Sequence, residues 1–136
     1  MAEADIVIYT TGAPGLIQPQ MVRKGQILFP LSKPNPEIDP EAAMAAGAAF
    51  AADGKVVNNV LGFPGILRGG VDANAVCISH PMYLAAAQVL ADLTPPGELL
   101  PNPLDKAIHQ AVARAVARQA IEQVLARAEF VPYAEG

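Results

Sequence analysis

The chain has 136 residues, of which 52% are hydrophobic and 16% are charged, and its formal net charge is −4. This length fits one ordinary domain that can bury a sizeable core. The lysines and arginines do not cluster, so the chain offers no basic field for a phosphate backbone, and nucleic acid is excluded as a partner.

The hydropathy pattern predicts a soluble, cytosolic protein. The N-terminal stretch MAEADIVIYTTG has no basic region, and Gly12 and Pro14 cut its apolar part short, so we expect no signal peptide. Eighteen apolar residues never follow one another, so we expect no contact with a membrane. Cys77 is the single cysteine, and its apolar surroundings, AVCIS, predict a buried structural thiol.

Three short apolar segments in the first half of the chain predict a parallel sheet. Residues 5–9, DIVIY, are typical of a strand buried on both faces of such a sheet. A turn and a short helical piece lead to a second strand at residues 26–31, where Pro30 marks an edge or a strand end. A third short strand is predicted within residues 48–53, AAFAAD.

Capping residues predict the helices that follow. Asp39 caps a helix that ends at Gly47. Pro64 begins a second helix, and Ser79 caps a third, which runs from about residue 82 to 93. The last helix is predicted from about residue 105 to 130, and its apolar stripe marks it as a packing helix. Strands followed by helices predict an α/β fold with a long C-terminal helix.

The turn after the first strand, Thr10 to Gly15, is a candidate cofactor contact. A dinucleotide-binding domain has the motif GxGxxG after its first strand, and the glycines here do not have that spacing. TTGAPGLI nevertheless resembles the turn that begins the second half of many Rossmann-type dehydrogenases, including the methylene-tetrahydrofolate dehydrogenases, where small residues let the backbone approach the nicotinamide ribose. A tight turn at the end of a buried strand explains the glycines equally well.

A more specific resemblance lies further along the chain. LSKPNPEIDPEAAMAAGAAFAADG and then VNNVLGFPGILRGGVDANA are similar to the C-terminal part of the malic enzymes, in particular the shorter prokaryotic kind. LAAAQVLADL and LPNPLD lie where that family has an alanine-rich helix and a Pro-Asp loop. The resemblance implies that residues 1–136 are the C-terminal part of an NAD(P)-binding domain. The expected fold is a partial Rossmann-like three-layer fold, formed by the second half of a doubly wound parallel sheet.

The resemblance also implies site residues. Asn59 matches an Asn that binds substrate near the nicotinamide, since an amide can donate to a carboxylate without adding charge. Its neighbour Asn58 is expected to hold the loop, and a turn or capping role is the alternative for both. Lys33 replaces a second substrate-contacting Asn and can pair with a substrate carboxylate, although a solvated loop lysine is the favoured alternative. The cofactor contacts are Asn59 and the turn residues Thr11, Gly12, Ala13, Pro14 and Gly15.

The chain also departs from the family's pattern. The family's Tyr and Lys acid/base pair, its metal-binding carboxylates and its Gly-rich turn all precede the region that matches, so we assign no catalytic residue and no metal ligand. A short insert of the family is missing before the Asn pair. Glu37 and Asp39 could converge on an ion, but a solvated, helix-capping role is favoured. His80 and His109 are expected to be surface or capping residues.

The resemblance implies an activity for the intact protein: oxidation of malate by NAD or NADP and decarboxylation to pyruvate and carbon dioxide, with Mg²⁺ or Mn²⁺. We expect the isolated chain to be catalytically silent, so whether it is itself an enzyme stays open. The alternative is a non-catalytic module that binds a nucleotide or docks on a partner. That partner would be a second copy or a complementary N-terminal chain.

Overall fold

The computed structural model describes residues 3–56 and 60–127. The chain divides into two compact units, residues 1–58 and 59–136. The first unit holds three parallel strands, β1 (Ile6–Tyr9), β2 (Ile27–Pro30) and β3 (Phe50–Ala51), with β2 in the centre. The three predicted strands are therefore confirmed, with shorter bounds. Pro30 is the last residue of β2, where its missing N–H interrupts no further pairing.

The first strand has one exposed face. Tyr9 is 6% exposed, whereas Ile6 and Ile8 are 56% and 63% exposed. Among the described residues, no strand pairs with the outer edge of β1. The prediction of burial on both faces is therefore wrong, because an apolar run predicts strand formation but not whether other elements of the same chain cover its two faces.

The helix of the first unit, α1 (Pro40–Ala45), begins as predicted at Asp39, whose carboxylate accepts a hydrogen bond from the Ala42 N–H at 3.1 Å. The chain turns at Gly47, where φ is +106°. Between β1 and β2 the predicted helical piece is a 3-10 turn at Pro19–Met21. The buried core of this unit consists of Tyr9, Ile17, Leu28, Ile38, Ala43 and Ala48.

The second unit is helical, with α2 (Phe63–Asp72), α3 (His80–Asp92) and α4 (Lys106–Glu122). Its core is formed by small and medium side chains: Ala73, Met82, Ala86, Val112, Val116, Ala117 and Ala120. Four of these lie on α4, so the prediction that it is a packing helix is confirmed. No helix within the described ranges has the length and apolar character that crossing a membrane requires.

The final helix is shorter than predicted. It ends at Glu122, and residues 128–136 lie outside the described ranges. Val124 has a φ of +57°, and the Leu125 N–H donates to the Ala120 carbonyl at 2.9 Å, which closes the helix end. Leu125 packs against the core from this turn, so its apolar character continues the helical pattern after the helix has stopped.

The prediction that Cys77 is a buried thiol is also wrong. Cys77 is exposed, whereas its neighbour Ile78 packs against the core of the second unit. The segment between α2 and α3 pairs with the chain after α4 through a bridge between Ala75 and Ala126. In such a connecting segment only some of the apolar residues turn inward, so the sequence context AVCIS does not decide which ones do.

Candidate functional site

The candidate site lies at the carboxyl edge of the sheet. The turn after β1, residues 10–15, and the loop after β2, residues 32–39, meet there because β1 and β2 are parallel. The Gly15 N–H donates to the Pro36 carbonyl at 3.2 Å, and the Ile17 N–H donates to the Glu37 carbonyl at 3.0 Å. The structure therefore brings the predicted cofactor turn beside the loop that carries Lys33.

A buried carboxylate joins these two segments. Glu37 has no solvent exposure. Its Oε1 accepts hydrogen bonds from the Thr11 N–H at 2.8 Å, the Thr11 hydroxyl at 2.9 Å and the Ser32 hydroxyl at 2.5 Å. Its Oε2 accepts a longer one from the Ser32 N–H at 3.3 Å. The favoured interpretation of Glu37 as solvated and helix-capping is wrong, whereas Asp39 does cap α1.

The hydrogen bonds decide the charge of Glu37. Burial alone would raise its pKa, but the Ser32 hydroxyl, the backbone N–H groups of Thr11 and of Glu37 itself, and the Thr11 hydroxyl outweigh burial. Together they lower the pKa from 4.5 to about 2. Burial raises the pKa of Tyr9, and the negative charge on Glu37 raises it further. Near neutral pH the site therefore holds an ionised Glu37 beside a neutral Tyr9.

The turn itself is shaped by two glycines. Gly12 and Gly15 have φ of +71° and +67°, a conformation that favours glycine, and a Cβ at either position would meet no atom within 4 Å. The glycines are therefore required by backbone conformation and not by contact with neighbouring protein atoms. The space beside the turn is open, which leaves room for a ligand to approach the backbone.

Residues 11–15 of the turn leave backbone acceptors free but no backbone donor. The Gly12 N–H donates to the Ser32 hydroxyl at 2.9 Å, and the Ala13 N–H donates to the Thr11 hydroxyl at 3.2 Å. With the bonds of Thr11 and Gly15 given above, every N–H of residues 11–15 is used inside the protein, since Pro14 has none. Within the described ranges, three carbonyl oxygens of the turn accept no hydrogen bond, those of Thr11, Gly12 and Pro14.

The remaining predicted residues have mixed outcomes. Lys33 is exposed, and its side chain runs beside Gly54. Asn58 and Asn59 lie outside the described residues. His80 is exposed at the start of α3, as predicted, but His109 is half-buried, and its Nε2 lies 2.8 Å from the Pro103 carbonyl oxygen. The described residues contain no group of three or more His, Cys, Asp or Glu side chains arranged to hold a metal ion.

Sequence reasoning missed the role of Glu37 and Ser32. Thr11, which supplies two of the hydrogen bonds to Glu37, is 26 residues away in the chain, and no local pattern pairs them. The one available signal was the position of Glu37 in a proline-stiffened loop directly after a strand. Such a loop lies at the carboxyl edge of a parallel sheet, where a buried charge is a candidate for organising a ligand site.

Comparison with known proteins gives concordant matches. No family model matches the chain. The chain is 56% identical to the NAD-dependent malic enzyme 1 of Bacillus subtilis, over 91% of this chain and 28% of that protein. It is 34% identical to the NADP-dependent malic enzyme of Rhizobium meliloti, over 89% of this chain and 20% of that protein. The crystal structure of a malic enzyme from Pyrococcus horikoshii matches with a TM-score of 0.82 and 39% identity, over 93% of this chain and 32% of that one. The chain spans less than a third of the length of each of them.

Proposed function

From the chain's homology with the malic enzymes, we propose that it is the C-terminal part of an NAD(P)-binding domain and contributes to the oxidative decarboxylation of malate to pyruvate and carbon dioxide. Its α/β fold of three parallel strands with a C-terminal helix matches part of the malic enzyme structures. In this proposal the metal ligands and the acid/base groups of the reaction are not supplied by this chain. The isolated chain then binds ligands without turning them over.

One observation carries the assignment of the cofactor turn. Residues 11–15 use all their N–H groups internally, whereas the carbonyl oxygens of Thr11, Gly12 and Pro14, which are exposed residues, accept no hydrogen bond in the described structure. Acceptors suit the hydroxyls of a ribose and the amide N–H of a nicotinamide, whereas a phosphate needs donors. We therefore place the nicotinamide nucleoside, and not the pyrophosphate, against this turn.

The turn does not choose between the two cofactors. NAD and NADP differ by a phosphate on the adenosine side, which is remote from a nicotinamide nucleoside. Relatives named as NAD-dependent and as NADP-dependent both match this chain. When bound, the cofactor supplies the hydride acceptor, and the residues of this chain position it.

Substrate contacts are proposed for Asn59 and Lys33, and Asn59 also faces the cofactor in this proposal. Asn59 rests on the family resemblance alone. Lys33 is an exposed residue of the loop after β2, and its ammonium attracts a carboxylate of malate in this proposal as a point charge on a flexible stem.

Replacing Lys33 tests the substrate side of the proposal. In the presence of saturating NADH, Lys33→Ala is expected to weaken malate binding by a factor of about 1.4 to 5, because an exposed ion pair contributes about 0.2–1 kcal/mol. Lys55→Ala is the matched control, since Lys55 is also an exposed lysine of the first unit. The dissociation constants of malate for the wild type and both variants are measured by NMR titration. Equal effects of the two variants on malate binding would contradict the proposed contact between Lys33 and the substrate.

A partner-docking module is the second candidate function, and β1 favours it. The exposed Ile6 and Ile8 lie on a strand whose outer edge has no partner among the described residues. Such an edge is a template for pairing with another strand, from a second copy or from a chain that carries the complementary part of the sheet. A monomer mass that stays constant over a wide concentration range would count against pairing between copies.

A further inference from the structure

The Glu37 carboxylate controls which backbone groups of the turn remain free. It receives the Thr11 N–H directly and holds the Ser32 hydroxyl, which in turn accepts the Gly12 N–H. The N–H groups of Thr11 and Gly12 are thus both satisfied by one network centred on Glu37. The carbonyl oxygens of Thr11 and Gly12 are left without partners in the described structure.

Hydrogen-bond donors, and not a cation, hold the charge of Glu37. Neither of the ion pairs found among the described residues involves Glu37, so no cation neutralises its buried charge there. The titratable group that faces it is Tyr9, which is neutral at ordinary pH. A buried ion without a counter-ion needs hydrogen-bond donors around it, so the Glu37 carboxylate and the donors of Thr11 and Ser32 fix one another in place.

We propose that Glu37 is a positioning residue of the cofactor site: its carboxylate holds the Thr11 and Gly12 N–H groups inward and so leaves the turn's carbonyl oxygens for the nicotinamide nucleoside. This inference rests on the proposed function. Glu37 acts through the turn and does not contact the ligand itself. This role also explains the hydrogen bonds between the loop after β2, residues 32–39, and the turn after β1, residues 10–15.

Glu37→Gln in the 136-residue chain tests the inference. The glutamine keeps an acceptor at the Oε1 position, where its neutral oxygen binds the Thr11 and Ser32 donors more weakly than the carboxylate does, and it places its N–H₂ against the Ser32 N–H. We expect the affinity for NADH, measured on the folded fraction, to fall about tenfold. The Thr11 and Gly12 amide protons should lose their downfield NMR shifts and exchange at least about tenfold faster, while the amide of Leu28 in the central strand stays protected.

Asp39→Asn is the matched control, because it removes a carboxylate two residues away and asparagine caps a helix equally well. It should change neither NADH affinity nor the two amides. If Glu37→Gln does not fold, Ser32→Ala replaces it. Ser32→Ala should release the Gly12 amide and lower NADH affinity about threefold while Thr11 stays bonded.

These measurements distinguish a failure of the positioning role of Glu37 from a failure of the proposed function. The Glu37→Gln variant could bind NADH with wild-type affinity although its Thr11 and Gly12 amides exchange faster. That result would overturn the positioning role and leave the proposed function standing. Unchanged shifts and exchange rates of the Thr11 and Gly12 amide protons in that variant would also overturn the positioning role. A wild-type chain that binds no NADH would overturn the proposed function, and the inference with it.

Discussion

Gly69→Ala is expected to lower the free energy of unfolding of the helical unit by about 2–3 kcal/mol. A Cβ at Gly69 would collide with the Ala113 carbonyl oxygen and would lie 2.7 Å from the Cβ of Val116. Both atoms belong to the buried face of α4, where neither can rotate away. The extra methyl group therefore has to separate α2 from α4, which opens the core.

Gly70→Ala is the matched control. A Cβ at Gly70 would meet the Ile78 Cδ1 at 2.5 Å, which is the far end of a side chain that can turn aside. The gain of about 0.5–1 kcal/mol from replacing a helical glycine offsets much of that cost, so we expect a net change near zero. Urea unfolding followed by circular dichroism measures both variants. Equal stabilities would show that the glycine at position 69 is not required for the contact between α2 and α4.

Glu37 is expected to make the first unit acid-sensitive by about 3 kcal/mol. Its pKa is about 2 in the folded chain, against an ordinary value of 4.5. A lowered pKa stabilises the folded state above pH 4.5, and this contribution is lost as the pH falls toward 2. Glu37→Gln lacks the titrating group, so the stability gap between wild type and variant should be about 3 kcal/mol smaller at pH 2 than at pH 7, with the change falling between pH 4.5 and 2.

Unfolding of the wild type, Glu37→Gln and Asp39→Asn at a series of pH values measures this gap. Because Asp39→Asn retains the cap of α1, it reports the background acid sensitivity of the unit. A gap between wild type and Glu37→Gln that stays constant from pH 7 to pH 2 would mean that the Glu37 carboxylate is not stabilised by its donors.

Local chemistry in the sequence was enough to predict most elements. The three strands follow from short apolar runs, and the starts of α1 and α3 follow from Asp39 and Ser79. The end of α4 could not be predicted, because Leu125 continues the apolar pattern from a turn in which Val124 has a positive φ. Periodicity predicts which residues face the core but does not distinguish helix from the turn that closes it.

The candidate site was predictable only in part. The turn at residues 11–15 was identified from its glycines and the family resemblance, and its φ angles show why Gly12 and Gly15 are needed. The network of Glu37, Thr11 and Ser32 joins residues that are distant in sequence, and it exists only because parallel strands bring their carboxyl ends to one edge. Tertiary proximity of this kind has no local signal.

Mapping ligand contacts by ¹H–¹⁵N NMR tests whether the turn after β1 receives the nicotinamide end of the cofactor. Nicotinamide mononucleotide and adenosine monophosphate carry the same phosphate on different nucleosides. We expect nicotinamide mononucleotide and NADH to shift the amide signals of Gly12, Ala13 and Gly15, and adenosine monophosphate at equal concentration to leave them in place. Equal shifts from adenosine monophosphate, or none from nicotinamide mononucleotide, would contradict this expectation.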